Sequence, residues 1–343
     1  MRATTIHAPF DVRLSDVPDP RLIDPTDAIV RTTASCVCGS DLWSYRGENR
    51  ITPGRRIGHE LVGIVEEIGP DVRTVQPGDF VVVPFMVSDG TCAHCRAGIQ
   101  SACVNAGFIS GDGIDGGQGE YVRVPLADGS LVATPEVPDE SLVPSLLTLS
   151  DVMGTGWHAA KAARVPVGGT VVVVGDGAVG LCGVLAASRM GAERVVAMSR
   201  HAPRQAIARQ FGATHIVAER GDDAHKAIED LTDGVGADAV LECVGTGQAM
   251  NTALAVARPG ATVGFVGVPH GVELPIGKMF GRNVGIAGGL APARAYLPDL
   301  MKDVLDGTIN PGLVFDLELP LSEVAEAYRA MHERRAIKTL LRP

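Results

Sequence analysis

Two stretches of this chain gather side chains able to bind a metal or move a proton. The first, CVCGSDLWSYRG, carries Cys36, Cys38, Ser40 and Asp41 within six residues, and His59 and Glu60 follow 21 residues after Cys38. Zinc takes thiolate, imidazole and carboxylate ligands, and a catalytic site keeps one position open for water or substrate. No periodicity joins Cys38 to His59. On residue types alone, a buried cysteine with a structural histidine reads as well as a metal pair. The second stretch, DGTCAHCRAGIQSAC, holds a C-x-x-C pair at Cys92 and Cys95. In a chain with seven cysteines and no expected secretory signal, that pair points to metal or redox use rather than to disulfides.

A third stretch suits phosphate. TVVVV is followed by Gly175-Asp176-Gly177-Ala178-Val179-Gly180 and then by a helical run. A bare G-x-G-x-x-G is weak in a chain with 42 glycines, but here it follows a strand and opens a helix. Gly175 permits the tight turn, Gly177 lets backbone approach a pyrophosphate, and Gly180 allows close helix–sheet packing. The helix N-terminus favours the negative charge. The next strand, RVVAM, ends in Ser199-Arg200-His201, where an NAD site would present a carboxylate to the ribose 2′-hydroxyl. A serine and a forked guanidinium suit a 2′-phosphate instead, which predicts a preference for NADP. The alternative is a solvated arginine at a strand end.

The elements that must position these groups change rhythm along the chain. The first half reads as short strands between Gly/Pro turns, among them IGHELVGIVEEIGPDV, GDFVVVPFMV and GEYVRVPL. From about Pro166, strand-like and helical runs alternate, as repeated β-α-β units on a parallel sheet do. After about Pro292 come two helical stretches separated by VFDLEL, and the chain closes on IKTLLRP. At 343 residues two domains are expected, divided as 1–153 with 292–343, and 154–291. A net charge of −10 with no basic tract argues against nucleic acid and anionic membrane as partners. The most apolar segment, VVVVGDGAVGLCGVLAAS, is interrupted by glycines and an aspartate and is no membrane span. The cytoplasm is the expected location.

Cys38-Gly39-Ser40-Asp41, then Gly58-His59-Glu60 with Gly63 and Val65, then a cysteine-rich lobe and a dinucleotide fingerprint, resemble the medium-chain, zinc-dependent alcohol dehydrogenase family over nearly the whole chain. The resemblance implies an α/β protein: a GroES-like, β-rich catalytic domain and a Rossmann domain with a doubly wound parallel sheet. It implies Cys38 and His59 as ligands of a catalytic zinc, with Glu60 beside them and able to exchange onto the metal. Where many members have a second cysteine, LTLSDVMGTGWHAA places Asp151, as in the bacterial secondary-alcohol branch. Asp151 is therefore expected as the third ligand, with a helix N-cap as the alternative. Asp41 is expected to orient His59 or else to cap a turn. Asp89, Cys92, Cys95 and Cys103 fall on the four positions of the family's structural-zinc lobe, with aspartate in place of the first cysteine. Cys36, Cys182 and Cys243 are expected as packing residues.

The implied chemistry is hydride transfer between NADP(H) and a small or medium alcohol, ketone or aldehyde, with zinc polarising the substrate oxygen. Ser40 matches the family hydroxyl that takes the proton into a relay. Three residues on, where many relatives carry the relay's exit histidine, this chain has Trp43, whose indole donates but cannot pass a proton on. Tyr45 or a cofactor ribose with water is the expected substitute. Trp43 also serves as a candidate wall of the substrate pocket, with Phe85 and Ile109; for the last two, core packing is the alternative. By the same resemblance Thr155 lines the nicotinamide end, and Val244, Val266, Gly267 and Val268 line the cleft. Lys338 is expected either as a cofactor contact or as a plain surface lysine. A homodimer or homotetramer is implied. Two other functions share the fold: a zinc-independent quinone or enone reductase, and a non-catalytic NADP-binding protein.

Overall fold

The run TVVVV becomes the strand Thr170–Val174, inside a six-stranded parallel sheet. The strands lie in the order His215–Val217, Arg194–Met198, Thr170–Val174, Ala237–Glu242, Ala257–Phe265 and Gly285–Gly288. Val171 to Val174 are all buried. A parallel strand is covered on both faces by its crossover helices, so a continuous β-branched run suits it better than alternation would. The computed structural model describes residues 1–111 and 113–343. It divides into two units, Met1–Gly154 with Pro292–Pro343, and Thr155–Ala291. The second unit holds this sheet, a Rossmann arrangement.

Its phosphate turn depends on two glycines. Gly175 has φ +117°, a conformation that L side chains rarely adopt. At Gly180 an added Cβ would stand 2.0 Å from the Gly175 carbonyl oxygen, so only glycine lets the helix Ala178–Arg189 seat this close. The helix is N-capped by Gly177 with no side-chain cap, which leaves its first N–H groups to an incoming anion.

The first unit is the β-rich, GroES-like one. Its largest sheet is organised around Ala28–Cys36, which pairs antiparallel with Leu61–Ile68, with Tyr121–Val124 and with Thr339–Arg342. The registers Ser35↔Leu61 and Leu340↔Cys36 bring three distant chain segments to one end of that strand. His59 and Glu60 precede Leu61, Lys338 precedes Thr339, and Cys38 follows Cys36. Cys38 lies two residues beyond the strand, in the turn that enters the short helix Asp41–Tyr45. The core on one side contains Ile6, Val37, Leu42, Tyr45, Tyr328 and Leu341; a second cluster contains Val30, Leu61, Val65, Val83 and Ile109.

Candidate metal centre and dinucleotide site

At the crowded end of Ala28–Cys36, Cys38, His59, Glu60 and Asp151 are all buried, and one donor atom from each lies within 4.8 Å of the others. Asp151 Oδ2 stands 3.4 Å from His59 Nε2, and the Cys38 thiol donates to the same oxygen at 3.7 Å. Asp41 Oδ2 accepts the Cys38 backbone N–H at 2.9 Å. Its other oxygen is 3.3 Å from His59 Nδ1, close enough for an ion pair though without a well-directed hydrogen bond. Asp41 thus faces the ring nitrogen away from the cluster, as an orienting residue would. Glu60 Oε1 accepts from Lys338 Nζ at 2.6 Å, while Glu60 Oε2 is buried without a partner.

The electrostatics suit a cation. Burial raises the pKa of the Cys38 thiol, and the nearby Glu60 raises it further. Burial also raises Glu60, against the lowering effect of Lys338. Burial works against an imidazolium at His59, yet Asp41, Cys38 and Asp151 together hold it well above the ordinary histidine range. Three acids and an imidazole crowded out of water, one carboxylate oxygen being orphaned, fit a bound divalent ion that would stabilise the deprotonated donors. Sulfur, nitrogen and carboxylate oxygen are the donors zinc takes.

A second cluster, Asp89, Cys92, Cys95 and Cys103, also has its donor atoms within 4.8 Å. Asp89 Oδ1 accepts the N–H groups of Thr91 and Cys92 at 2.7 and 2.9 Å, and Oδ2 accepts from Asn105 at 2.9 Å. Those backbone bonds hold the Asp89 carboxyl far below the usual range. The Cys95 N–H points to Cys92 Sγ, and those of Asp89 and Asn105 point to Cys103 Sγ. Backbone hydrogen bonds lower Cys92 to about 7, whereas burial pushes Cys95 up to about 12. His94 between them is exposed.

In the second unit the fingerprint turn sits beside the loops that leave two neighbouring strands. Val244 and Gly245 follow Ala237–Glu242, and Val266 to Val268 follow Ala257–Phe265. Glu242 accepts the N–H groups of Val244 and Gly245 through its side chain and that of Val266 through its carbonyl. Val244 and Val268 are exposed and Thr155 is buried. An added Cβ at Gly177 would meet nothing within 4 Å, so the backbone there is open to a ligand. Ser199 is buried and Arg200 exposed at the end of Arg194–Met198.

Residues 24–136 match the family described as alcohol dehydrogenase GroES-like domain, and residues 178–306 match zinc-binding dehydrogenase. The whole chain is 33% identical to zinc-type alcohol dehydrogenase B of Aspergillus flavus, covering 81% of that protein. The chain belongs to the medium-chain zinc-dependent alcohol dehydrogenase family. The NADP-dependent isopropanol dehydrogenase of Thermoanaerobacter brockii is 33% identical over 93% of this chain and 92% of its own length. Alcohol dehydrogenase TADH from Thermus sp. ATN1 superposes with a TM-score of 0.92 at 31% identity, covering 100% of this chain and 99% of that one.

Within this alcohol dehydrogenase chain several expected residues lie elsewhere. Ile109, expected as a pocket wall with core packing as the alternative, is fully buried in the second core cluster of the first unit. Lys338 is no surface lysine. It is 1% exposed and pairs with Glu60, because its place before Thr339–Arg342 carries it into the sheet's interior. Tyr45, a suggested relay group, is buried against the rings of Phe10 and Tyr328 at 5.1 and 5.4 Å. Phe85 does approach the metal cluster, its ring 6.4 Å from that of His59. Phe108, which no sequence signal marks, is closer at 4.9 Å. Ser40 and Trp43 are half-buried at the start of the short helix that follows Cys38.

Proposed function

We propose that this chain is a zinc-dependent oxidoreductase moving a hydride between NADP(H) and a small or medium alcohol and its ketone or aldehyde. The observation that carries the reading is the buried quartet of Cys38, His59, Glu60 and Asp151, with donor atoms within 4.8 Å. In this reading Cys38, His59 and Asp151 hold the catalytic ion and Glu60 is an alternating fourth donor. Asp89, Cys92, Cys95 and Cys103 hold a structural one. When bound, zinc supplies a Lewis acid at the substrate oxygen and the nicotinamide gives or takes the hydride.

The chain's own groups do the rest. Asp41 fixes the turn at Cys38 through the backbone N–H and restrains His59 from behind. The Ser40 hydroxyl receives the proton that leaves the alcohol, since a hydroxyl both accepts and donates. Trp43 offers a donor but no onward path, so proton exit at this position is unassisted by its side chain. Phe85 and Phe108 keep water from the His59 ring. At the cofactor, the N–H groups at Gly177 to Gly180 bind the pyrophosphate. Thr155 borders the nicotinamide end, and Val244, Val266, Gly267 and Val268 line the cleft. The exposed Arg200, next to Ser199 at the strand end, supports NADP as the preferred form, as does the resemblance to the NADP-dependent isopropanol dehydrogenase.

A homodimer or homotetramer in the cytoplasm completes the reading, and sedimentation velocity tests the assembly. A zinc-independent quinone or enone reductase would leave the buried donors without a role. Turnover of NADPH and NADP across secondary alcohols, polyols, ketones, aldehydes and enones, with and without phenanthroline, tests the function. The expected result is chelator-sensitive alcohol oxidation and carbonyl reduction. Chelator-insensitive reduction of enones alone would overturn it.

A further inference from the structure

The strand-end position that carries a carboxylate in NAD sites is Ser199 here, yet a carboxylate reaches the same place by another route. Asp176, the residue between the first two fingerprint glycines, accepts the Ser199 hydroxyl through Oδ2 at 2.7 Å. Its Oδ1 is 3.1 Å from Arg204 Nη1, which also donates to the Asp176 carbonyl at 3.3 Å. The side chains of Arg204 and Asp176 are 15% and 18% exposed, so their charges meet largely out of water. Ser199 has one hydroxyl proton, and Asp176 takes it. Ser199 is fully buried and its oxygen also accepts the His201 N–H at 3.3 Å, so the acceptor presented at this place is the partly exposed Asp176 carboxylate, which matches a 2′-hydroxyl donor better than a phosphate oxygen.

The surrounding charge favours phosphate. Arg200 and Arg220 are exposed at the same edge. Partial desolvation of its head group lowers the Arg220 guanidinium from its ordinary value, and the charge of Arg200 lowers it further, against the effects of Asp176 and Glu219. Three guanidiniums (Arg200, Arg204 and Arg220) less two carboxylates (Asp176 and Glu219) leave a net +1, against the roughly −2 of a phosphate monoester. Two opposed preferences therefore share one corner of the site.

We infer that Asp176 and Arg204 set the cofactor ratio. Asp176 accepts the 2′-hydroxyl of NAD and repels a 2′-phosphate, Arg204 offsets that repulsion, and the chain accepts both dinucleotides. The inference rests on the proposed placement of the adenosine ribose at Ser199 and Arg200.

The test is calorimetric binding to the zinc-loaded enzyme of two probes: 2′,5′-ADP, which carries the 2′-phosphate, and ADP-ribose, which carries the free diol. Asp176→Asn keeps size and removes charge. It is expected to tighten 2′,5′-ADP by about tenfold and to weaken ADP-ribose severalfold. Arg204→Gln, which leaves the turn glycines untouched, is expected to weaken 2′,5′-ADP about tenfold and ADP-ribose little. Arg200→Ala separates the two levels of the argument. If it leaves 2′,5′-ADP binding unchanged, the NADP reading itself fails. If it weakens 2′,5′-ADP but Asp176→Asn and Arg204→Gln leave the ratio of the two affinities unchanged, Asp176 is only an anchor for the turn and the inference is overturned.

Discussion

In the proposed reading the metal site turns on Asp151, a harder donor than a thiolate with the same charge. Its Oδ2 is shared between Cys38 and His59. Asp151→Ala is expected to remove the catalytic zinc, leaving one zinc per chain by elemental analysis, and to lower kcat/KM at least a hundredfold. Retention of two zinc ions would contradict the assignment. Arg200→Ala is expected to lower kcat/KM for NADP roughly tenfold and for NAD less than threefold, measured with one alcohol. How legible these residues were differs by mechanism. Cys38 and His59 stood out only as types, since their meeting depends on the Ser35↔Leu61 register, which no local pattern encodes. The Lys338–Glu60 pair was not legible, its members being 278 positions apart. Phe108 was missed because a single aromatic between glycine and isoleucine carries no periodic signal.

Among elements, the cysteine lobe is the one least able to hold itself together. It contains a four-residue helix, Ala93–Arg96, and a single 3-10 turn, Gln100–Ala102. Short helices are marginal without tertiary support, and here the support is four donors and a set of N–H···S contacts. Cys92→Ser is therefore expected to lose one zinc per chain while the Cys38 cluster keeps its own. The Tm should fall by about 2–4 °C for each kcal/mol of lobe stabilisation lost. An unchanged Tm and zinc content would show that the lobe closes without metal. By contrast, the strand–turn–helix at Thr170–Arg189 was legible in full, because buried valines, three spaced glycines and a helix start each obey a local rule. The strand Ala257–Phe265 shows the limit. The segment ARPG that opens it has a helical run before it, yet Ala257 pairs with Ala237 and the ladder resumes only at Thr262, after a register shift.

Across the whole molecule, the last 52 residues return to complete the first unit rather than adding to the second. Thr339–Arg342 pairs with Ala28–Cys36, and Lys338 supplies the cation beside Glu60. A buried charge that loses its partner is strongly destabilising. Lys338→Met is expected to lower unfolding stability by about 3–5 kcal/mol in urea titration, whereas a change under about 1 kcal/mol would show the pair to be dispensable. The change of rhythm near Pro166 and the second change near Pro292 were visible in sequence, which is why two domains and a closing segment were expected. That the closing segment feeds the metal cluster was not visible, since it depends on sheet pairing at long range. Among the described residues no helix is long and apolar enough to cross a membrane. In the proposed function two clusters of donors hold zinc, and one of them is needed for turnover. The most direct test is zinc analysis of the purified enzyme together with alcohol oxidation before phenanthroline treatment, after it, and after zinc is restored. Two zinc ions per chain, activity lost on chelation and activity regained on re-metallation are predicted; full alcohol turnover by a zinc-free preparation would contradict the account.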